Sequence, residues 1–182
     1  MKKKPLNINH LLEYQNNTKL LVILIFSLFL IVGITIFDDY GISWDEYAHR
    51  ANGFVSLNFV REYFDFDAYP GFPKLENYFA AQYGVLFDLP MSFLEKKLLI
   101  EDSKNQILLR HFFNFIIFFI SNIFFYLLLN KRFTKGISII GLLFLILSPR
   151  IFADSFYNMK DLIFLSFFII NIFFAINFLD KI

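Results

Sequence analysis

Residues 20–37 read LLVILIFSLFLIVGITIF, an apolar run without a single charge. At 1.5 Å per residue such a helix reaches roughly 27 Å, close to the ~30 Å hydrocarbon core of a bilayer. A cleaved signal peptide is the rival reading. The run is long for one, and no small-x-small site precedes Asp38, so residues 20–37 are read as a retained first span. The chain around it agrees. Of its 182 residues 57% are hydrophobic, above the ordinary soluble share, and 28 are Phe.

Outward from this run the sequence divides by hydropathy and charge. Residues 1–19 form a polar, basic terminus with Lys2, Lys3 and Lys4. Residues 38–106 form a long polar-aromatic segment with twelve acidic and six basic side chains. Periodicity predicts two amphipathic interfacial helices in it, over about 44–64 and 75–87, separated by a turn at Tyr69-Pro70-Gly71-Phe72-Pro73. A second span is expected over 107–129, a short third over 136–149 and a fourth over 162–179. Between them lie a basic loop at 130–135 and a loop at 150–161. The expected fold is an all-α polytopic membrane protein of about four spans.

Charge sets the expected orientation. Lys2 to Lys4, the Lys131, Arg132 and Lys135 loop and Lys181 fall on one side if four spans alternate. The positive-inside rule makes that side cytoplasmic. The acidic 38–106 segment and the 150–161 loop then share the outer face. A net charge of +1 gives no bulk-charge argument for a nucleic-acid partner, and zero cysteines exclude disulfides and thiolate metal sites.

The densest chemistry follows the first span directly: Asp38-Asp39-Tyr40-Gly41-Ile42-Ser43-Trp44-Asp45-Glu46-Tyr47-Ala48-His49-Arg50. Ser43 and Glu46 match a capping box, and Asp45 fits the first turn of the helix that follows. A capping role and a catalytic role for Asp45 are both open at this point. A carboxylate at a membrane face can serve as a general base or a metal ligand. Arg110 lies near the outer end of the second span with Asn114 one turn deeper. It is read either as snorkelling to head groups or as binding a lipid phosphate with its planar fork. Asp161 opens the last span, flanked by Arg150 and Lys160, and can cap that helix or join an anionic site. His49 and His111 fit packing as well as chemistry. No HExxH, GxSxG or P-loop pattern occurs.

The order of these features resembles the GT-C superfamily of integral-membrane glycosyltransferases. It runs from a basic terminus and one span to an Asp-Glu pair in a long outer loop. An arginine then opens the second span, and a Ser-Pro…Asp loop precedes the fourth. The nearest groups are the family 39 protein O-mannosyltransferases and the lipid A aminoarabinose transferases. The resemblance implies transfer of a sugar from a polyprenyl-phosphate donor to a glycan, lipid or protein acceptor, at the outer face of a bacterial inner membrane. It implies Asp45 as the catalytic acid of the Asp-Glu pair, Glu46 as its partner and Asp161 as the acid before the fourth span. It further implies Arg110, with Arg150 or Lys160, on the lipid phosphate, and a divalent cation on Glu46 and Asp161. The stretch Phe72-Pro73-Lys74 departs from the Lys-Pro or His-Pro-Pro element of family 39. Family enzymes are also several times longer, so the chain is expected to be the N-terminal part of one. A non-catalytic scaffold or transporter fragment with an acidic partner-binding loop is the reading from another class.

Overall fold

Backbone groups placed in hydrocarbon must be bonded within the protein, which leaves helices and closed barrels as spanning structures. The computed structural model describes residues 8–182, with side chains from Asn17 onward, and takes the helical solution. Lys2, Lys3 and Lys4 lie outside the described residues. Among those described there are seven α-helices, one short 3-10 turn and no strand. The helices are α1 (Ile8–Ile36), α2 (Glu46–Tyr63), α3 (Asp88–Lys97), α4 (Ser103–Arg132), α5 (Lys135–Ile146), α6 (Pro149–Tyr157) and α7 (Asp161–Leu179). Three of them, α1, α4 and α7, are long and apolar enough to cross a membrane. This is an all-α polytopic membrane protein.

The expected third span is a bent pair. Helices α5 and α6 are long enough to cross only together, and they meet at 60°. Pro149 explains the break: it lacks the N–H that would continue α5, and its fixed φ suits the first position of a new helix. The loop expected over 150–161 is therefore mostly α6. The pair runs back from the end of α4 to the start of α7. At one end Lys131 and Arg132 of α4 bind Asp180 just past α7. At the other, Tyr40 beyond α1 stacks on Phe156 of α6 at 4.4 Å. Helices α4 and α7 consequently run parallel, and α5–α6 is the return.

The second amphipathic helix expected over 75–87 is absent. A 3-10 turn at Leu75–Asn77 and further turns occupy that stretch, and the helix begins at Asp88 instead. Phe79, Tyr83 and Leu86, which the helical reading placed on one apolar face, are all exposed. Residue 78 is extended, and the Tyr78 hydroxyl donates to Asn52 Oδ1 at 2.6 Å, which ties the irregular segment to α2. Helix α3 carries its own signals: Asp88 in the first turn, Pro90 where a missing N–H does no harm, and Lys96 and Lys97 in the last turn. The first helix stands nearly where periodicity put it, at 46–63, with Phe54 and Leu57 buried.

Two glycines set how closely helices approach. A Cβ on Gly53 of α2 would lie 2.3 Å from the Asp88 carbonyl oxygen and from Ser92 Oγ, so α2 and α3 touch backbone to backbone. A Cβ on Gly33 would overlap the Phe115 ring. Phe115 belongs to the main core with Phe29, Phe118, Leu142, Ile146, Phe156 and Leu162. A second cluster, Phe87, Met91, Met159 and Ile163, seats α3 and the loop before it against α7. Together these contacts clamp α2 and α3 as a cap over one end of the bundle.

Candidate functional site

The start of α2 separates two adjacent acids. Glu46 reaches back to the Ser43 amide, which donates to its Oε1 at 2.6 Å, so one half of the expected capping box forms. The Ser43 hydroxyl donates to Asp45 Oδ1 at 2.9 Å rather than receiving a helix amide. The other Glu46 oxygen lies 2.9 Å from His111 Nε2, and both side chains are fully buried. Glu46 is thus a latch between α2 and α4. Asp45 sits just before the helix with its side chain 61% exposed.

Asp45 lines a cleft of about 190 Å³ with His49, Asn52, Tyr83 and Lys160. His49 follows one turn after Asp45, its Nε2 3.7 Å from Asp45 Oδ2. Its Nδ1 lies 3.1 Å from Oδ2 of Asp88, the buried first residue of α3. That hydrogen bond raises the His49 pKa above its ordinary 6.5, burial works against it, and the Asp88 and Asp45 charges add to it. Lys160 opposes the rise. Its ammonium stands 5.0 Å over the Tyr83 ring. Tyr78, holding Asn52, has its hydroxyl pKa raised by burial and by the Asp88 charge.

His49, Tyr83 and Lys160 also line a neighbouring groove of about 280 Å³. Its remaining wall is mostly apolar: Leu86, Phe87, Met159, Ile163, Phe164 and Phe167. Ile163, Phe164 and Phe167 belong to α7, so the groove runs from the polar cleft onto a spanning helix. A larger cavity of about 450 Å³ lies between α1 and the α5–α6 pair, lined by residues such as Ile25, Leu28 and Phe152. No ionisable side chain lines it, so it offers no chemistry.

The cations expected on the lipid phosphate, Arg110 with Arg150 or Lys160, stand in separate settings. Arg110 is wholly buried, donating to Glu95 Oε2 at 3.1 Å and to Ser92 Oγ at 3.1 Å. It neither snorkels nor faces the cleft. Arg50 binds the same carboxylate, Nη2 to Oε1 at 2.5 Å, so two guanidiniums share Glu95. Arg150 has an 84% exposed side chain and is held to Asp154 at 2.9 Å. Lys160 is the one of the three that reaches the cleft. Asp161, next to it, is not among the cleft-lining residues; its amide donates to Asn158 Oδ1, and Asn158 Nδ2 donates back to Asp161 Oδ2.

The expected cation on Glu46 and Asp161 finds no ready ligand set. Both Glu46 oxygens already accept hydrogen bonds, and no three His, Asp or Glu side chains gather to hold an ion among the described residues. Comparison with known protein families, curated proteins and solved structures finds no match to this chain. Sequence reasoning missed Asp88, Glu95 and Tyr83. Asp88 had one visible signal, an acid opening a helix that closes on two lysines. Its pairing with His49 spans 39 positions and had none.

Proposed function

We propose that the chain takes part in glycosyl transfer from a polyprenyl-phosphate donor to an acceptor hydroxyl or amine at the outer membrane face. The observation that carries this reading is the shared wall of two cavities. A polar cleft with Asp45, His49 and Lys160 opens onto an apolar groove along α7. An amphiphile with a long apolar tail, a phosphate and a polar head matches that sequence of surfaces. The tail would lie along Ile163, Phe164 and Phe167, the phosphate at Lys160, and the sugar beside Asp45 and Asn52. The basic pair Lys131 and Arg132 lies at the opposite end of α4, which supports an outward-facing cleft.

The chemistry is a single displacement. Asp45 accepts the proton of the acceptor as the acceptor atom bonds to the anomeric carbon. The bond from that carbon to the phosphate oxygen breaks, and its electron pair stays on the phosphate. Lys160 stabilises the charge that develops there. Glu46 and Arg110 position the cap that carries Asp45.

Asp45→Asn tests the reading in membranes that carry the full native reading frame. As a base Asp45 should lose roughly 10²–10⁴-fold in transfer rate, because an amide cannot take the proton. As a helix-dipole residue alone it should lose only about 0.3–1 kcal/mol of stability. Near-normal transfer of sugar from polyprenyl phosphate by the Asn variant would sink the proposal and favour a scaffold.

A further inference from the structure

We infer that His49, oriented by Asp88, is a proton relay behind Asp45. The inference rests on the glycosyl-transfer reading and adds where the proton goes next. Asp88 and His49 come from different helices, α3 and α2, joined where Gly53 lets the backbones touch. A carboxylate only accepts, so the hydrogen bond to Asp88 Oδ2 places the imidazole hydrogen on Nδ1. That leaves Nε2 without a hydrogen, 3.7 Å from Asp45 Oδ2. The gap is slightly beyond hydrogen-bond reach. The Asp45 side chain is exposed and held only by the Ser43 hydroxyl, on its other oxygen, and such contacts often tighten only around substrate.

His49 lines the cleft, and its second nitrogen stands beside the exposed Asp45 carboxylate rather than a buried partner. Four groups surround the ring: Asp45 from the start of α2, Asp88 from α3, Tyr83 from the irregular segment and Lys160 from the turn before α7. The two acids raise the proton affinity of His49 and Lys160 lowers it, with the Asp88 hydrogen bond the largest influence. A raised affinity is what a proton sink needs.

The relay balances as follows. The acceptor proton moves to Asp45 while the glycosyl bond forms and the phosphate leaves with its electron pair. The proton on Asp45 then passes to Nε2, giving an imidazolium held between two carboxylates. Asp45 returns to its ionised form, and the imidazolium gives the proton to water as product leaves. Activity thus requires neutral His49 at the outset, and rate should rise with pH through the raised pKa of this residue.

The test compares wild type, His49→Gln and Asp88→Asn in the full native protein. It follows transfer from polyprenyl-phosphate sugar across pH, beside thermal unfolding. His49→Gln should lower kcat by roughly 10²-fold with donor KM nearly unchanged, and the part of the acid limb that His49 sets should disappear. Asp88→Asn keeps the side-chain shape but weakens the charge on Nδ1, so the limb should move to lower pH. An unchanged limb in either variant overturns the relay. If a variant fails to fold, ¹⁵N-histidine NMR of the wild type decides: the hydrogen on Nδ1 and titration above 6.5 support the relay, and the hydrogen on Nε2 overturns it. Transfer lost in Asp45→Asn but normal in His49→Gln removes the relay alone. No transfer by wild type removes the glycosyl-transfer reading and the relay with it.

Discussion

The two ends of α4 carry similar charges in opposite settings. Near its start Arg110 and His111 are fully buried, bound to Glu95 and Glu46, with Asn114 buried one turn on. At its finish Lys131 and Arg132 reach partly exposed Asp180, and Lys131 also holds Asn177. The difference lies in what covers each end. Helices α2 and α3 close over the first, so every charge there must find its partner inside the protein. The second meets water, where an ion pair competes with solvent and is worth little. Breaking a buried pair, by contrast, strands an uncompensated charge in a poor dielectric. The same residue types therefore build the cap at one end and merely decorate the other.

Glu95→Gln should have the largest effect. It leaves Arg50 and Arg110 facing a neutral amide, and Arg110 Nε already lacks a partner among the described residues. A loss of about 3–5 kcal/mol is expected, measured as a lower thermal midpoint in detergent. Adding Arg110→Met to that variant should restore much of the loss, because a buried charge and its carboxylate are then both gone. Failure of the double variant to recover would mean that the pair supplies more than mutual compensation.

Gly53→Ala should come next. Its Cβ would meet the Asp88 carbonyl oxygen, which is backbone and cannot rotate away. Separating α2 from α3 should cost about 1–3 kcal/mol and reduce any transfer activity, since Asp88 moves relative to His49. A variant as stable and as active as wild type would show that the cap tolerates a wider crossing.

Asp180→Asn should do least. Its pairs with Lys131 and Arg132 are more than a third exposed, so a change of at most ~1 kcal/mol is expected, shrinking further in high salt. A loss rivalling that of Glu95→Gln would overturn the contrast between the two ends of α4.

Local features were readable where one physical term dominates. The run over 20–37 carries no charge and has the length of a spanning helix rather than of a barrel strand, so α1 was legible from composition. Periodicity over Phe54 and Leu57 gave α2 to within two residues at each end. The same test failed over 75–87, where Leu75, Phe79, Tyr83 and Leu86 have helical spacing but no surface to pack on together. The spacing of apolar residues reports a face, and only packing partners decide whether that face is used. The third span expected over 136–149 ends near the Pro149 break, while the helicity of α6 depended on Phe152 and Phe156 finding the core.

By itself, the sequence determined a helical membrane chain, its apolar spans and the local turn that sets Asp45 before α2. These follow from hydropathy, helical period and hydrogen bonds within three or four residues. Tertiary structure alone decided which charge does what. It buried Glu46 and left the adjacent Asp45 open, because α4 brings His111 to one and nothing to the other. It enclosed Arg110 with Glu95, left Arg150 outside, and brought Lys160 to the cleft. It also joined Asp88 to His49 across 39 positions. The physical reason is that the worth of a charge is set by its surroundings, and those are assembled from segments far apart in the chain.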